Sequence, residues 1–250
     1  MQHSVLMAIH GPVARLTLND PERANVLSRA MMSDLAAGLE AAARQESVRV
    51  IVLAAAGKIF CAGHDLSELR ASNDPAAHQA LFDQCSALMM AIGACRVPVI
   101  ANVQGAAVAA GCQLAASCDL AYAAEDARFA VSGINLGLFC STPGVALGRA
   151  VGRKAASEML LTGRFISADE AAMLGLINRS APAADLDRIV DEVAALIAAK
   201  APDAVALGKA TWRRQIEAPA AEAYAIASQA MVENLGLESA RNGIDAFLKR

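Results

Sequence analysis

Two short stretches rich in small residues are where the backbone of this 250-residue chain could itself do chemistry. The first is Ile59-Phe60-Cys61-Ala62-Gly63-His64-Asp65-Leu66, where Ala62 and Gly63 let the main chain approach a ligand and aim its N–H groups at it. The second runs from Asn102-Val103-Gln104-Gly105 through Ala106-Ala107-Val108-Ala109-Ala110 to Gly111-Cys112-Gln113-Leu114-Ala115. It leads into a helix N-terminus, where unpaired N–H groups and the helix dipole favour negative charge. Two such loops on neighbouring strands suit a developing oxyanion or enolate. Singly, each is also what an ordinary tight turn looks like.

Few side chains near these stretches can move a proton or attack a carbonyl. His64 has the intrinsic pKa for acid–base work, and it also fits a structural cap on the loop. Asp65 fits a carboxylate bracing the loop better than a base. Cys140 and Ser141 are nucleophiles by type, but neither has a base beside it in sequence. Gln113 can orient water or a carbonyl but cannot accept a proton at neutral pH.

The elements that must hold these residues follow from periodicity. Residues 4–9 and 13–18 predict a hairpin through His10-Gly11-Pro12, and 25–43 a helix capped by Ser28 or Ser33. Residues 48–53, 97–103 and 119–123 predict buried strands, while 54–67, 105–110 and 128–143 predict loops. Helices are expected from about 78 to 94, from 111 to 116, and through most of the chain beyond Gly144. Strands alternating with helices, then an all-helical tail, indicate one α/β domain, with residues 1–190 as core and 191–250 as extension.

Composition removes several functions. Apolar residues make up 56% and charged residues 19%, which excludes a disordered chain. A formal net charge of −3 without a lysine or arginine run disfavours nucleic-acid binding. The apolar stretch from Val99 to Ala124 is broken by Asn102, Gln104, Gly105, Gly111, Gln113 and Ser117, so it reads as core and not as a membrane span. Six cysteines without CxxC spacing point to reduced thiols, no zinc site and a cytoplasmic protein. All four histidines lie before residue 79 and no G-x-S-x-G elbow occurs, so a serine-protease triad is rejected.

Across nearly its whole length the chain resembles the crotonase (enoyl-CoA hydratase/isomerase) superfamily. Phe60 to Leu66 is similar to its F-x-A-G-x-D-[IL] loop, and Pro98 to Gly105 with Ala110 to Ala115 and Cys118-Asp119 to its second signature. Arg149-Ala150-Val151-Gly152, Leu161-Thr162-Gly163 and Ile166 to Ala171 are similar to its helical tail. The resemblance implies a repeated ββα superhelix with a C-terminal helical region that drives trimers, often paired into hexamers. It places oxyanion-hole N–H groups at Ala62 and Ala110, and thioester and pantetheine contacts along Ala62, Gly63, His64, Asp65 and Leu66. It assigns CoA contacts to the turn around Arg23, Ala24 and Val26, and nucleotide contacts to Phe247 and Lys249 of a neighbouring subunit. Coenzyme A would enter as part of the substrate, with no metal and no redox cofactor.

The pattern breaks at the two glutamates that hydratases of this family use. Gln113 stands at the first, and Gly133, four residues after Phe129, at the second. Between Asp126 and Glu158 the chain has no Asp or Glu to substitute. With Gly133 to Gly144, the chain resembles the subgroup typified by enoyl-CoA hydratase domain-containing protein three, which shares both losses. Two functions of different class stay open: an acyl-CoA enzyme with weak or altered chemistry, and a non-catalytic acyl-CoA-binding or assembly subunit. RNA binding would need a lysine-rich helix, and residues 28–47 contain no lysine.

Overall fold

The computed structural model describes residues 4–249; His3 and the other terminal residues lie outside it. β1 (Val5–His10) and β2 (Val13–Leu18) form the expected antiparallel hairpin, and β2 then runs parallel to β3 (Val50–Ala55). β5 (Val99–Val103) and β7 (Leu120–Ala124) continue the parallel sheet, and β10 (Arg179–Ala181) closes its edge. The run of Val and Ile in β3 and β5 is buried on both faces, as a central parallel strand requires.

Three strands arise where the sequence predicts loops. β4 (Ile59–Cys61), β6 (Ala106–Val108) and β8 (Arg128–Ala130) pair in parallel, and β9 (Ile166–Ser167) joins β8 antiparallel to complete a four-stranded sheet. Three residues are too few to show a period of two, and Ala and Cys have weak strand preference, so only the pairing identifies them. After the β1–β2 hairpin and α1, three successive units (β3 and β4, β5 and β6, β7 and β8) each send one strand to the six-stranded sheet and the next to the four-stranded one, then a helix. This is the ββα superhelix of the crotonase fold.

The helices fill the outside of this frame. α1 (Arg29–Arg44) starts at Ser28, whose hydroxyl accepts from the Met31 N–H at 3.1 Å, and it buries Met31, Met32, Leu35 and Leu39. After the short α2 (Leu66–Arg70), α3 (Pro75–Ala94) packs on α1 and on α4 (Ala110–Ser117). α5 (Ser141–Ala150), α6 (Arg153–Thr162) and α7 (Ala168–Leu174) follow a 3-10 turn at Ser132–Leu136. α8 (Ala183–Ala198) lays Leu186, Ile189, Val190 and Ala194 on the large sheet. A core boundary at 190 would therefore cut a helix that belongs wholly to the core; the chain leaves the core after α8. No helix among the described residues is long and apolar enough to cross a membrane.

α9 (Pro202–Gln215), α10 (Ala220–Gly236) and α11 (Glu238–Leu248) pack on one another and bury no residue fully within the single chain. Lys209 of α9 fastens them to the core. Its ammonium donates to the carbonyls of Ile92 at 3.3 Å and Val97 at 3.0 Å and to Asp119 Oδ2 at 2.6 Å. Only 8% of the Lys209 side chain is exposed, so the pair is little screened by solvent. Lys209→Met should lower unfolding stability by about 1.5–3 kcal/mol, the range for hydrogen bonds to charged groups, read as a fall in the urea midpoint.

Candidate active site

A braced turn comes first. Ala24 and Asn25 both have left-handed backbone, with φ of 54° and 52°. Asn25 repays that strain, because its buried amide donates to the carbonyls of Ala56 at 2.9 Å and Ile59 at 2.7 Å and accepts from the Asp20 N–H at 2.9 Å. The turn thereby presents the Ala24 carbonyl to the loop after β4, where it accepts the Ala62 N–H at 3.0 Å. Leu27 then forms a parallel bridge with His64, its N–H donating to the Gly63 carbonyl at 2.7 Å.

These bonds change the expected donor. The Ala62 N–H is already spent on Ala24, and the Gly63 N–H lies on the Cys61 thiol. The next amide, that of His64, has no acceptor among the described residues. Ala62 is thus corrected to a bracing residue, and the free amide of this loop is that of His64. Sequence reasoning singled out the His64 imidazole and missed its backbone. The signal available was the glycine before it, since Gly63 adopts φ +95° and turns the following peptide over.

The second donor lies against the first loop. A Cβ added at Gly63 would sit 3.3 Å from the Ala110 nitrogen and 3.0 Å from both the Val108 oxygen and Ala109 Cβ. Only a glycine lets the two main chains come this close. Ala110 opens α4, so no carbonyl lies one helical turn before it to take its N–H. The helix starts one residue earlier than predicted because Ala109 accepts φ 50°, a strained value for alanine, while its N–H is held by the Ala130 carbonyl at 2.8 Å.

Gln113 sits one turn into α4, on the face of Ala110, and is 4% exposed. Its Oε1 is buried without a hydrogen-bond partner. At the second glutamate position the change is deeper than a missing side chain. A Cβ on Gly133 would fall 2.4 Å from the Leu138 oxygen and 2.8 Å from the Cys140 sulfur, and the Gly133 N–H donates to that sulfur at 3.3 Å. The chain from Leu138 to Cys140 has filled the space.

The remaining candidates divide between bracing and idle groups. Asp65 caps α2 by accepting from the Ser67 N–H at 2.9 Å and hydroxyl at 2.6 Å, and it pairs with Arg23. Those Ser67 contacts first, then Arg23, hold its carboxyl below the usual range, so it is a brace. Leu66 begins that helix and is exposed, and Val26 is half-buried in the Ala24–Leu27 turn. Burial holds the His64 imidazole below its ordinary pKa, with Nδ1 3.4 Å from the Leu27 carbonyl, Phe82 edge-on at 5.5 Å, and Nε2 unpaired. Burial also raises the Cys140 thiol and pushes Cys61 and Cys112 up to about 12, which leaves no thiolate nucleophile. Phe247 and Lys249 are exposed at the end of α11, which packs on α9 and α10, so one chain does not bring them to this site. No group of three or more His, Cys, Asp and Glu side chains that could hold a metal occurs among the described residues.

Because the Asp65 pKa is depressed in the folded state, its contribution is complete above the ordinary value of 3.8 and fades as pH falls through the lower, folded value. Asp65→Asn keeps a capping side chain but loses the ion pair with Arg23, so it should cost up to about 1 kcal/mol at neutral pH, and the gap to wild type should close as pH falls below the depressed folded-state value. Paired denaturant titrations across that range measure it.

Comparison with known proteins agrees with the geometry. The family model for enoyl-CoA hydratase/isomerase matches residues 8–250. The rat enoyl-CoA hydratase domain-containing protein 3, mitochondrial, is 46% identical over 238 residues, covering 95% of this chain and 79% of that protein. A crystal structure of an enoyl-CoA hydratase from Mycobacterium smegmatis superposes with a TM-score of 0.97 at 52% identity, covering 99% of this chain and 97% of the other. That of human enoyl-CoA hydratase domain-containing protein 3 gives 0.96 at 44% identity, covering 98% and 97%. The mouse, Xenopus laevis and human counterparts of the rat protein are also named mitochondrial, which overturns the cytoplasmic placement read from the cysteines. Free thiols report a reducing environment, not an address. Motifs, repeat architecture and relatives converge: the chain belongs to the enoyl-CoA hydratase/isomerase family.

Proposed function

We propose that the chain binds an acyl-CoA thioester with its carbonyl oxygen between the N–H groups of His64 and Ala110, and that it no longer serves hydration. The observation that carries this reading is the contact of the Gly63 turn with the first turn of α4, which leaves two adjacent amides without carbonyl acceptors. Donors held in place by backbone packing need no reorganisation when charge develops on the oxygen, and each is worth about 2.7–4 kcal/mol. The half-exposed Arg23 and the Ala24–Val26 backbone border the same loop and would meet the CoA moiety.

Hydration needs a base for water and a group that moves a proton at the α-carbon. Gln113 is an amide, and Gly133 has neither a side chain nor space for one. Two lost acid–base groups, each worth roughly 10²–10⁴, put hydration at least about 10⁴-fold below an ordinary hydratase. A non-catalytic acyl-CoA-binding subunit is the second reading, favoured by the filled space at Gly133.

α9 to α11 leave Trp212, Ile216, Tyr224, Val232, Phe247 and Leu248 exposed. An apolar surface of this kind is what copies of the same chain cover in a closed oligomer. A homotrimer or a hexamer fits it, and in either one a neighbour's α11 could bring Phe247 and Lys249 to the CoA.

Butyryl-CoA should bind by calorimetry, and Gly63→Ala should abolish binding, since the new methyl meets the α4 turn. Full binding by a folded Gly63→Ala variant would remove the proposed hole. With crotonyl-CoA the wild type should show hydration at least about 10⁴-fold below a typical kcat near 10 s⁻¹. A rate in the ordinary range would overturn the demotion. Gly133→Glu should cost about 1–3 kcal/mol through overpacking and restore no hydration, even beside Gln113→Glu. Sedimentation of the full chain should give three or six copies; a monomer at micromolar concentration would refute the assembly.

A further inference from the structure

Two buried polar atoms beside the proposed hole have no hydrogen-bond partner among the described residues, Gln113 Oε1 and His64 Nε2. Only the second is basic. An amide oxygen does not take up a proton at neutral pH, whereas the bare nitrogen of a neutral imidazole does. The other ring nitrogen decides which one is bare. Nδ1 faces the Leu27 carbonyl at 3.4 Å, and a carbonyl can only accept. The proton of the neutral ring is therefore assigned to Nδ1 and the lone pair to Nε2.

The surroundings keep that lone pair available and supply no rival to it. Burial is the largest influence on the ring and holds its pKa below the ordinary value, while the Leu27 carbonyl and then the Glu68 charge act against it. Phe82 of α3 lies edge-on to the ring at 5.5 Å. Asp65, next in the chain, is committed to Ser67 and Arg23, and Glu68 of α2 accepts the Arg29 N–H at 2.9 Å. On the other side, β4 and α4 bring Cys61 and Cys112, both held protonated by burial, and the amide of Gln113. The order of the small sheet fixes the side from which the ring acts. β6, which leads into α4, lies between β4 and β8, so the His64 loop flanks the start of α4 on one side and the Gly133 loop on the other.

We infer that the His64 imidazole is the acid–base residue of this site, with Nε2 taking a proton from the α-carbon of a bound acyl thioester on the flank opposite Gly133. This rests on the acyl-CoA reading above. There, the His64 amide holds the carbonyl oxygen, and the α-carbon is two bonds from that oxygen, so one residue serves both atoms. The α-carbon–hydrogen bond breaks, its electron pair moves into the carbonyl, and the enolate oxygen is held by the His64 and Ala110 amides. Nε2 carries the proton, exchanges it with water and returns one to the same carbon, and the thioester stays intact. A single base on one flank reaches only one of the two α-hydrogens of an unbranched acyl chain.

The test follows butyryl-CoA in deuterated water with the full-length protein, by proton resonance and mass spectrometry. One deuterium should enter at the α-carbon and the second α-hydrogen should stay. The rate should be level at neutral pH and fall in acid as the ring protonates through its lowered pKa, since the protonated ring has no lone pair. His64→Ala should lose about 10²–10⁴-fold in rate, and added imidazole should restore part of it. His64→Asn keeps a donor for the Leu27 carbonyl but has no basic nitrogen, so it should lose as much. Butyryl-CoA binding, measured on the same preparations, reports whether each variant is folded. Binding by the wild type without any deuterium uptake would overturn the role of His64 and leave the acyl-CoA reading standing. Equal rates for wild type and a binding-competent His64→Asn would overturn it too, and exchange of both α-hydrogens would overturn the single flank. If the wild type does not bind butyryl-CoA, both proposals fall together.

Discussion

The structure turns on main chain approaching main chain. The Gly63 turn comes close enough to the start of α4 that a single methyl would meet an amide nitrogen, a carbonyl oxygen and another methyl within 3.3 Å. Much of the surrounding architecture serves that approach. Asn25 locks a left-handed turn so that Ala24 can anchor Ala62, Leu27 bridges His64, and Asp65 ties the loop to Arg23 and to α2. On the other side, Ala109 is held at positive φ by Ala130, a residue of the strand paired beside it. The strain at Ala24, Asn25 and Ala109 is tolerated because backbone hydrogen bonds over-determine each of them.

Side chains play a smaller part than in most active sites. Of the groups nearest the two turns, Asp65 is engaged in bracing, the thiols are protonated, and the imidazole of His64 is neutral and turned towards Phe82. Left without a hydrogen-bond partner beside them, among the described residues, are the Gln113 Oε1, the His64 Nε2 and the peptide N–H groups of His64 and Ala110. Among the side chains nearest the two turns, the buried His64 imidazole is the group left able to accept a proton. Residues 138–140 occupy the place that a side chain at Gly133 would take.

A good share of this was legible in the one-dimensional chain. The hairpin, the buried strands and the helical tail follow from periodicity and turn chemistry, and the cap of α1 narrows to Ser28 or Ser33, of which the structure uses Ser28. The family and the replacement of both glutamates were visible in ordered motifs. Strands β4, β6 and β8 were not, because three-residue strands owe their existence to neighbours brought from 20 to 50 residues away. The end of the core was misplaced for a similar reason: α8 looks like any amphipathic helix until the sheet beneath it is known.

Sequence alone determined which residue types stand at the critical positions, since Gln113 and Gly133 are what they are before any folding. Tertiary structure alone decided which peptide hydrogens are free. Ala62 and His64 are separated by one residue and belong to one motif, yet one N–H is spent on Ala24 and the other is not. A motif carries the identity of side chains, whereas the direction of a backbone N–H depends on φ and ψ and on which carbonyl arrives from elsewhere in the chain.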